Sequence, residues 1–328
     1  MAGADPVLSD WHPLAAAKHL AAGALQPAQL LGTELVLWRG VDGRPHAWLD
    51  RCAHRGTRLS IGRIEQGQLV CAYHGWRYAD DGRCTEVPAL PGFVPPQAAC
   101  AKTFPVVESH GLLWASLGTP PGTPPHFPEA FDPGLRAVVC GPYDVAASGP
   151  RVVENFLDMA HFAYVHEGIL GERSRPQVRD YDVQPLAGGG LIATGCFAWQ
   201  PRSNLVAERG SEVEYSYRVT RPLTAILTKL PGEQNGFREA IALHVQPVGE
   251  ELSRAWIVMA MTERDSTDES LRAFQDSIFL QDRPILENQT PRRLPLAPGA
   301  EVPVACDRMS QAYRRYLATE GVRYGVIA

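Results

Sequence analysis

Two cysteines and two histidines arrive in mixed pairs. Cys52-Ala53-His54 is followed by Arg55-Gly56, and after sixteen intervening residues comes Cys71-Ala72-Tyr73-His74 followed by Gly75-Trp76. Two thiolates and two imidazoles brought to one place are metal ligands. Zinc is the common metal for such a set, but zinc fingers pair Cys with Cys and then His with His, whereas each pair here is mixed. A [2Fe–2S] cluster held by two Cys on one iron and two His on the other takes one of each from each of two loops. Replacing two thiolates with neutral imidazoles raises the reduction potential, which suits an electron relay that feeds an oxidising site.

A second constellation lies downstream. Residues 151–166 read R-V-V-E-N-F-L-D-M-A-H-F-A-Y-V-H, with Val153, Phe156, Leu157, Ala160, Ala163 and Tyr164 at helical spacing. Asp158, His161 and His166 fall at i, i+3 and i+8, near one face if the helix persists or bends at its end. Two histidines on an apolar helix are by themselves ordinary core residues. With an electron relay upstream they read instead as part of a two-His, one-carboxylate set, the ligands of non-haem Fe(II) oxygenases. Spacing alone leaves the carboxylate open among Asp276, Asp282 and Glu287.

The elements around the first pairs are strands and tight turns. Glu34–Trp38, the Asp42-Gly43 turn and Ala47–Leu49 predict a β-hairpin that feeds the first ligand loop, and Asp81-Gly82 marks a turn after the second. Phe104–Glu108 and Leu113–Leu117 predict closing strands, and residues 11–23 a short lead-in. Six prolines between Gly118 and Pro133 exclude regular helix or central strand and mark a domain boundary. The expected domains are 1–125 and 126–328.

Beyond the boundary, residues 177–262 alternate between apolar and polar with Gly/Pro turns, which predicts an antiparallel sheet. Gly188-Gly189-Gly190 formally opens a dinucleotide fingerprint, but a strand follows it, so it reads as a hairpin turn. No NAD(P)H or flavin site is expected, and electrons must come from another protein. Asp265–Glu269 is an N-cap cluster for a helix running through Leu271 and Leu286, and residues 307–317 predict a closing amphipathic helix.

The 328 residues suit two domains, with 45% hydrophobic and 20% charged residues typical of a soluble globular chain. A net charge of −5 gives no basic excess for nucleic acid or an anionic membrane. Seven cysteines, an odd number in a chain this long, do not make a secreted disulfide framework. The N-terminus lacks a signal-peptide pattern, and no run of eighteen apolar residues occurs, so a cytoplasmic location is expected.

At C-x-H-x16-C-x2-H the chain resembles the Rieske family without a gap. The segment Glu154-Asn155-Phe156-Leu157-Asp158, with His161 and His166, resembles the mononuclear-iron motif of Rieske ring-hydroxylating oxygenases, and Gln281-Asp282-Arg283-Pro284 resembles the segment carrying their distal carboxylate. Nearly the whole chain is covered, in family order. The resemblance implies an α+β fold: an N-terminal all-β Rieske [2Fe–2S] domain and a C-terminal helix-grip (START/Bet v 1-like) catalytic domain with an antiparallel sheet. It implies Cys52, His54, Cys71 and His74 as cluster ligands, and His161, His166 and Asp282 as ligands of a mononuclear Fe(II). Catalytic roles fall to Asp158 and Asn155, with Asp158 joining His161 to a Rieske histidine of the neighbouring subunit.

Chain length and the distal segment look most like the vanillate and dicamba O-demethylases, methylxanthine N-demethylases and saxitoxin-pathway hydroxylases. The implied activity is O2-dependent monooxygenation of a small aromatic or heterocyclic substrate by demethylation or hydroxylation. Its electrons come from NAD(P)H through a separate reductase or ferredoxin, and its assembly is a head-to-tail homotrimer. The alternatives are a ring cis-dihydroxylating dioxygenase and a non-catalytic Rieske electron-transfer protein with a ligand-binding domain.

Overall fold

The computed structural model describes residues 5–231 and 238–328. They form two compact units, Leu8–Pro124, and Pro125–Ala328 joined by the first seven residues. Asp5 ties itself to the second unit by accepting from the backbone N–H groups of Arg323 and Tyr324 at 2.8 and 2.7 Å.

The first unit is built of short strands: β1 His12–Ala16, β2 Leu25–Leu30, β3 Thr33–Arg39, β4 Pro45–Leu49, β5 Arg63–Glu65, β6 Gln68–Val70, β7 Arg77–Tyr78, β8 Cys84–Glu86, β9 Thr103–Phe104, β10 Val106–Ser109 and β11 Leu112–Ala115. They make three antiparallel sheets, ordered β1-β11-β10, β2-β3-β4-β9 and β5-β6-β7-β8. The lead-in expected at residues 11–23 contains a true strand, β1, which pairs with β11; its Ala/Leu composition hid it. Strand β3 shows why two cores form. Leu35 and Leu37 face one apolar cluster, and Val36 and Trp38 face another that also contains Cys52, Cys71 and Tyr78. Successive side chains on a strand point to opposite faces, and here both faces are buried.

The second unit is one seven-stranded antiparallel sheet with helices. Its strands are β12 Arg136–Val145, β13 Asp182–Pro185, β14 Leu191–Gln200, β15 Ser211–Arg221, β16 Thr224–Pro231, β17 Glu239–Gly249 and β18 Leu252–Met261, in the order β12-β18-β17-β16-β15-β14-β13. The helices are α1 Gly149–Leu157, α2 Phe162–Val165, α3 Asp268–Asn288 and α4 Arg308–Glu320. Ser148 caps α1 and Thr267 caps α3, each accepting a backbone N–H of the first turn. Gly188, Gly189 and Gly190 all have φ near +90 to +105° and make the hairpin turn between β13 and β14, conformations that other residues resist.

The long helix expected from residue 151 to 166 is broken. α1 stops at Leu157; Asp158 takes an extended conformation, and its carboxylate accepts the Ala160 N–H at 2.8 Å. An Asp side chain that satisfies the backbone locally competes with helix continuation. The break turns His161 and His166 off the α1 axis and onto the short α2 turn.

Candidate functional site: a relay pair of loops and a three-ligand pocket

The two ligand loops of the first unit repeat one backbone pattern. Cys52 N–H donates to Thr57 O and Gly56 N–H to Cys52 O; likewise Cys71 N–H donates to Trp76 O and Gly75 N–H to Cys71 O, all at 2.8 to 3.1 Å. Gly56 and Gly75 close the turns at φ +75° and +70°, where a Cβ would be strained. Asp50, buried at the end of β4, pins the first loop by accepting from Ser60 N–H and Oγ–H at 2.7 and 2.6 Å.

The donors are sorted by kind. Cys52 and Cys71 lie in one buried cluster, and the His54 and His74 rings are 4.5 Å apart. Paired sulfurs and paired imidazoles match a cluster with one Cys-ligated and one His-ligated iron, so the residues fit a [2Fe–2S] group. Desolvation, with the nearby His74 and Arg55, holds His54 below its ordinary value and thus neutral, the form a ligand needs. Burial raises the Cys71 thiol, so deprotonation there awaits a metal. Trp76 stacks on His54 at 4.6 Å, and the Tyr78 hydroxyl lies 3.1 Å from Cys52 Sγ, where it donates to a thiolate.

In the second unit, His161, His166 and Asp282 converge. Their ligand atoms lie within 4.8 Å of one another, with Asp282 Oδ1 at 3.4 Å from His161 Nε2 and 3.1 Å from His166 Nε2. This is the one such group of three among the described residues. Neither Asp276 nor Glu287 joins it. Asp276 accepts from Tyr143 Oη at 2.5 Å and Glu287 from the Ala146 N–H at 3.1 Å. Helix periodicity explains the choice: Leu271, Gln275, Phe279, Asp282 and Leu286 share the buried face of α3.

Each imidazole is held from behind. His161 Nδ1 is 3.0 Å from Asp158 Oδ2, and His166 Nδ1 is 2.8 Å from Gln281 Oε1. Both partners accept, which puts the proton on Nδ1 and leaves the Nε2 lone pairs facing Asp282. Two imidazole nitrogens and one carboxylate oxygen gathered at the wall of a pocket fit the two-His, one-carboxylate set of a ferrous ion. Asn155 Nδ2 lies 3.4 Å from Asp282 Oδ1 and orients it. Gln281 sits inside the quoted distal segment, yet nothing in its sequence position signals this contact.

The trio lines a pocket that encloses ≈ 990 Å³ of empty space, its open mouth included, a size suited to a small molecule. One wall is the face of the sheet. Tyr217, Leu227, Ile241 and Met259 sit side by side across four strands, and the next row along is Tyr215, Lys229, Glu239 and Met261. The facing wall comes from α1 and α3. Leu170 and Asn204–Val206 reach the pocket from the segments 168–176 and 202–210.

Comparison with known proteins agrees with this geometry. Residues 10–105 match the Rieske [2Fe-2S] domain family and residues 145–320 the vanillate O-demethylase oxygenase C-terminal domain family. The chain is 32% identical over 322 residues to the methylxanthine N1-demethylase NdmA of Pseudomonas putida, covering 94% of this chain and 87% of that protein. It is 42% identical over 217 residues to the probable methylxanthine N7-demethylase NdmC of Pseudomonas sp. (strain TJI-51), covering 66% and 77%. The solved structure of P. putida CBB5 NdmA with caffeine superposes with a TM-score of 0.82 at 29% identity, over 94% of this chain and 90% of that one.

Proposed function

We propose a demethylase from a plain premise: the chain belongs to the Rieske-type oxygenases that carry a vanillate O-demethylase oxygenase C-terminal domain. It is an oxidoreductase that monooxygenates a small organic substrate using O2 and externally supplied electrons. The finer reading is removal of an N-methyl group from a neutral methylated heterocycle, with methylxanthine-like compounds as the reference class. It rests on a ligand trio that opens into a mostly apolar pocket, together with the likeness to N-demethylases. The net reaction takes N–CH3, O2, two electrons and two protons to N–H, formaldehyde and water.

When bound, the two iron groups supply electron relay and O2 activation. The chain's own residues do the rest. Cys52, His54, Cys71 and His74 would hold the cluster, and His161, His166 and Asp282 the single iron. Asp158 and Gln281 keep the Nδ1 protons in place, and Asn155 fixes the carboxylate of Asp282. The apolar rows of the sheet exclude water and hold the methyl-bearing ring edge against the trio.

The alternation of domains at 125/126, a cytoplasmic location, a head-to-tail homotrimer and a separate reductase complete the reading. No helix among the described residues is long and apolar enough to cross a membrane. The test is formaldehyde release. Iron-loaded protein, supplied with a reductase and NADH, should release one formaldehyde per methyl lost from theobromine or a related methylated heterocycle. Oxidation of these compounds without formaldehyde, to a ring diol or alcohol, would reject demethylation.

A further inference from the structure

Away from the ligand trio, the mostly apolar lining of the pocket is interrupted by a buried charged pair. Lys229 on β16 and Glu239 on β17 are directly opposed in the sheet, with Nζ and Oε2 2.6 Å apart and side chains 6% and 8% exposed. Lys229 Nζ also donates to Ser203 O at 2.6 Å. Both side chains line the pocket.

The pair sits in the sheet wall of the pocket beside Tyr215, which is opposite Lys229 in the sheet and whose ring lies 6.0 Å from that of Phe162.

A buried ion pair is a poor way to stabilise a sheet. Apolar residues of similar volume usually serve as well or better, and the neighbouring row, Tyr217, Leu227, Ile241 and Met259, is made of them. Burial pushes the Lys229 ammonium down, to about 7. The third Lys229 proton and the remaining lone pairs of Glu239 leave one donor and one acceptor side by side.

We propose that Lys229 and Glu239 form a specificity site that reads a neutral donor–acceptor edge of the substrate, an N–H beside a C=O as in a lactam or imide. This rests on the demethylase reading above and narrows its substrate class. The two charges cancel, so a carboxylate substrate meets Glu239 in a low-dielectric pocket and is rejected. A ring whose edge nitrogen is methylated leaves Glu239 without a donor and is disfavoured for the same reason that any unpaired buried polar group is.

Equilibrium binding to the iron-loaded, anaerobic protein tests the site without turnover. The probes are theobromine, with an imide N–H; caffeine, the same bicycle with that nitrogen methylated; and 4-methoxybenzoate, an anionic methyl ether. Wild type should bind theobromine about 10- to 100-fold more tightly than either of the others. The double variant Lys229→Met/Glu239→Leu should bring theobromine and caffeine within about twofold of each other. Equal binding of the probes by wild type, preference for the anion, no binding at all, or an unchanged ratio in the variant would each overturn the site. The wild-type ranking stands as a test even if the variant does not fold. Absence of formaldehyde from every probe would reject the demethylase reading while leaving the binding preference intact, so the two failures are distinguishable.

Discussion

At the scale of single residues, the two histidines of the trio are oriented by chemically different partners. Asp158 is a carboxylate behind His161, and Gln281 is a neutral amide behind His166. A carboxylate accepting from the Nδ1–H raises ligand basicity as well as fixing the tautomer. Asp158→Ala should leave iron content and cluster reducibility unchanged while turnover falls by about 100-fold; unchanged turnover in steady-state O2 uptake would dismiss the role. The Tyr78 hydroxyl, 3.1 Å from Cys52 Sγ, would donate to the sulfur of a bound cluster and favour its more negative, reduced state. Tyr78→Phe should lower its midpoint potential by roughly 20–60 mV, the one-electron equivalent of a ~0.5–1.5 kcal/mol hydrogen bond, as read by redox titration. At this scale the sequence was legible wherever spacing is the signal. Cys52, His54, Cys71, His74, His161 and His166 could be picked out by their intervals, and Asp282 by motif. Gln281, Tyr78, Lys229 and Glu239 could not, because their contacts arise from helix phase and strand register across long separations in the chain.

At the scale of elements, the alternating run after the boundary could be read as an antiparallel sheet, and Asp268–Asn288 as a capped helix. Strand β12 escaped because Val138 and Val139 are followed by a Gly-Pro step that interrupts the alternation; in the sheet that step falls at an irregularity between Cys140 and Tyr143. The break after α1 escaped because apolar periodicity runs straight through it, while the Asp158 carboxylate accepts the Ala160 N–H where the backbone turns. The short α2 turn is held by Gly171, where an added Cβ would stand 2.6 Å from Ala163 N and Phe162 C. Gly171→Ala should therefore displace α2 and lower mononuclear iron occupancy while the [2Fe–2S] absorbance persists; full occupancy in that variant would show that the turn can yield. Behind α1, Glu154 is buried against Arg314 of α4 at 2.5 Å, with Arg151 and Glu301 completing the network. Arg314→Ala leaves Glu154 facing the buried Arg151 alone, and should cost about 3–5 kcal/mol in denaturant unfolding; a cost below about 1 kcal/mol would mean that Arg151 suffices.

At the scale of the whole molecule, one chain carries an electron-relay unit and an oxidising unit. The homotrimer proposal, in which Asp158 of one chain serves a cluster of the next, makes a mixing prediction. Co-expressed His74→Ala and His161→Ala chains should recover part of the activity that each lacks alone, because a mixed assembly contains intact neighbouring pairs. No recovery in mixed assemblies of confirmed composition would place electron transfer within a chain. Beneath all of this lies the metal content, and iron and acid-labile sulfide analysis of the purified protein measures it most directly. The account predicts three irons and two sulfides per chain, falling to two irons with both sulfides kept when His161 and His166 are replaced by Ala. Zinc in place of iron with no labile sulfide, or only two irons in the unaltered chain, would contradict it.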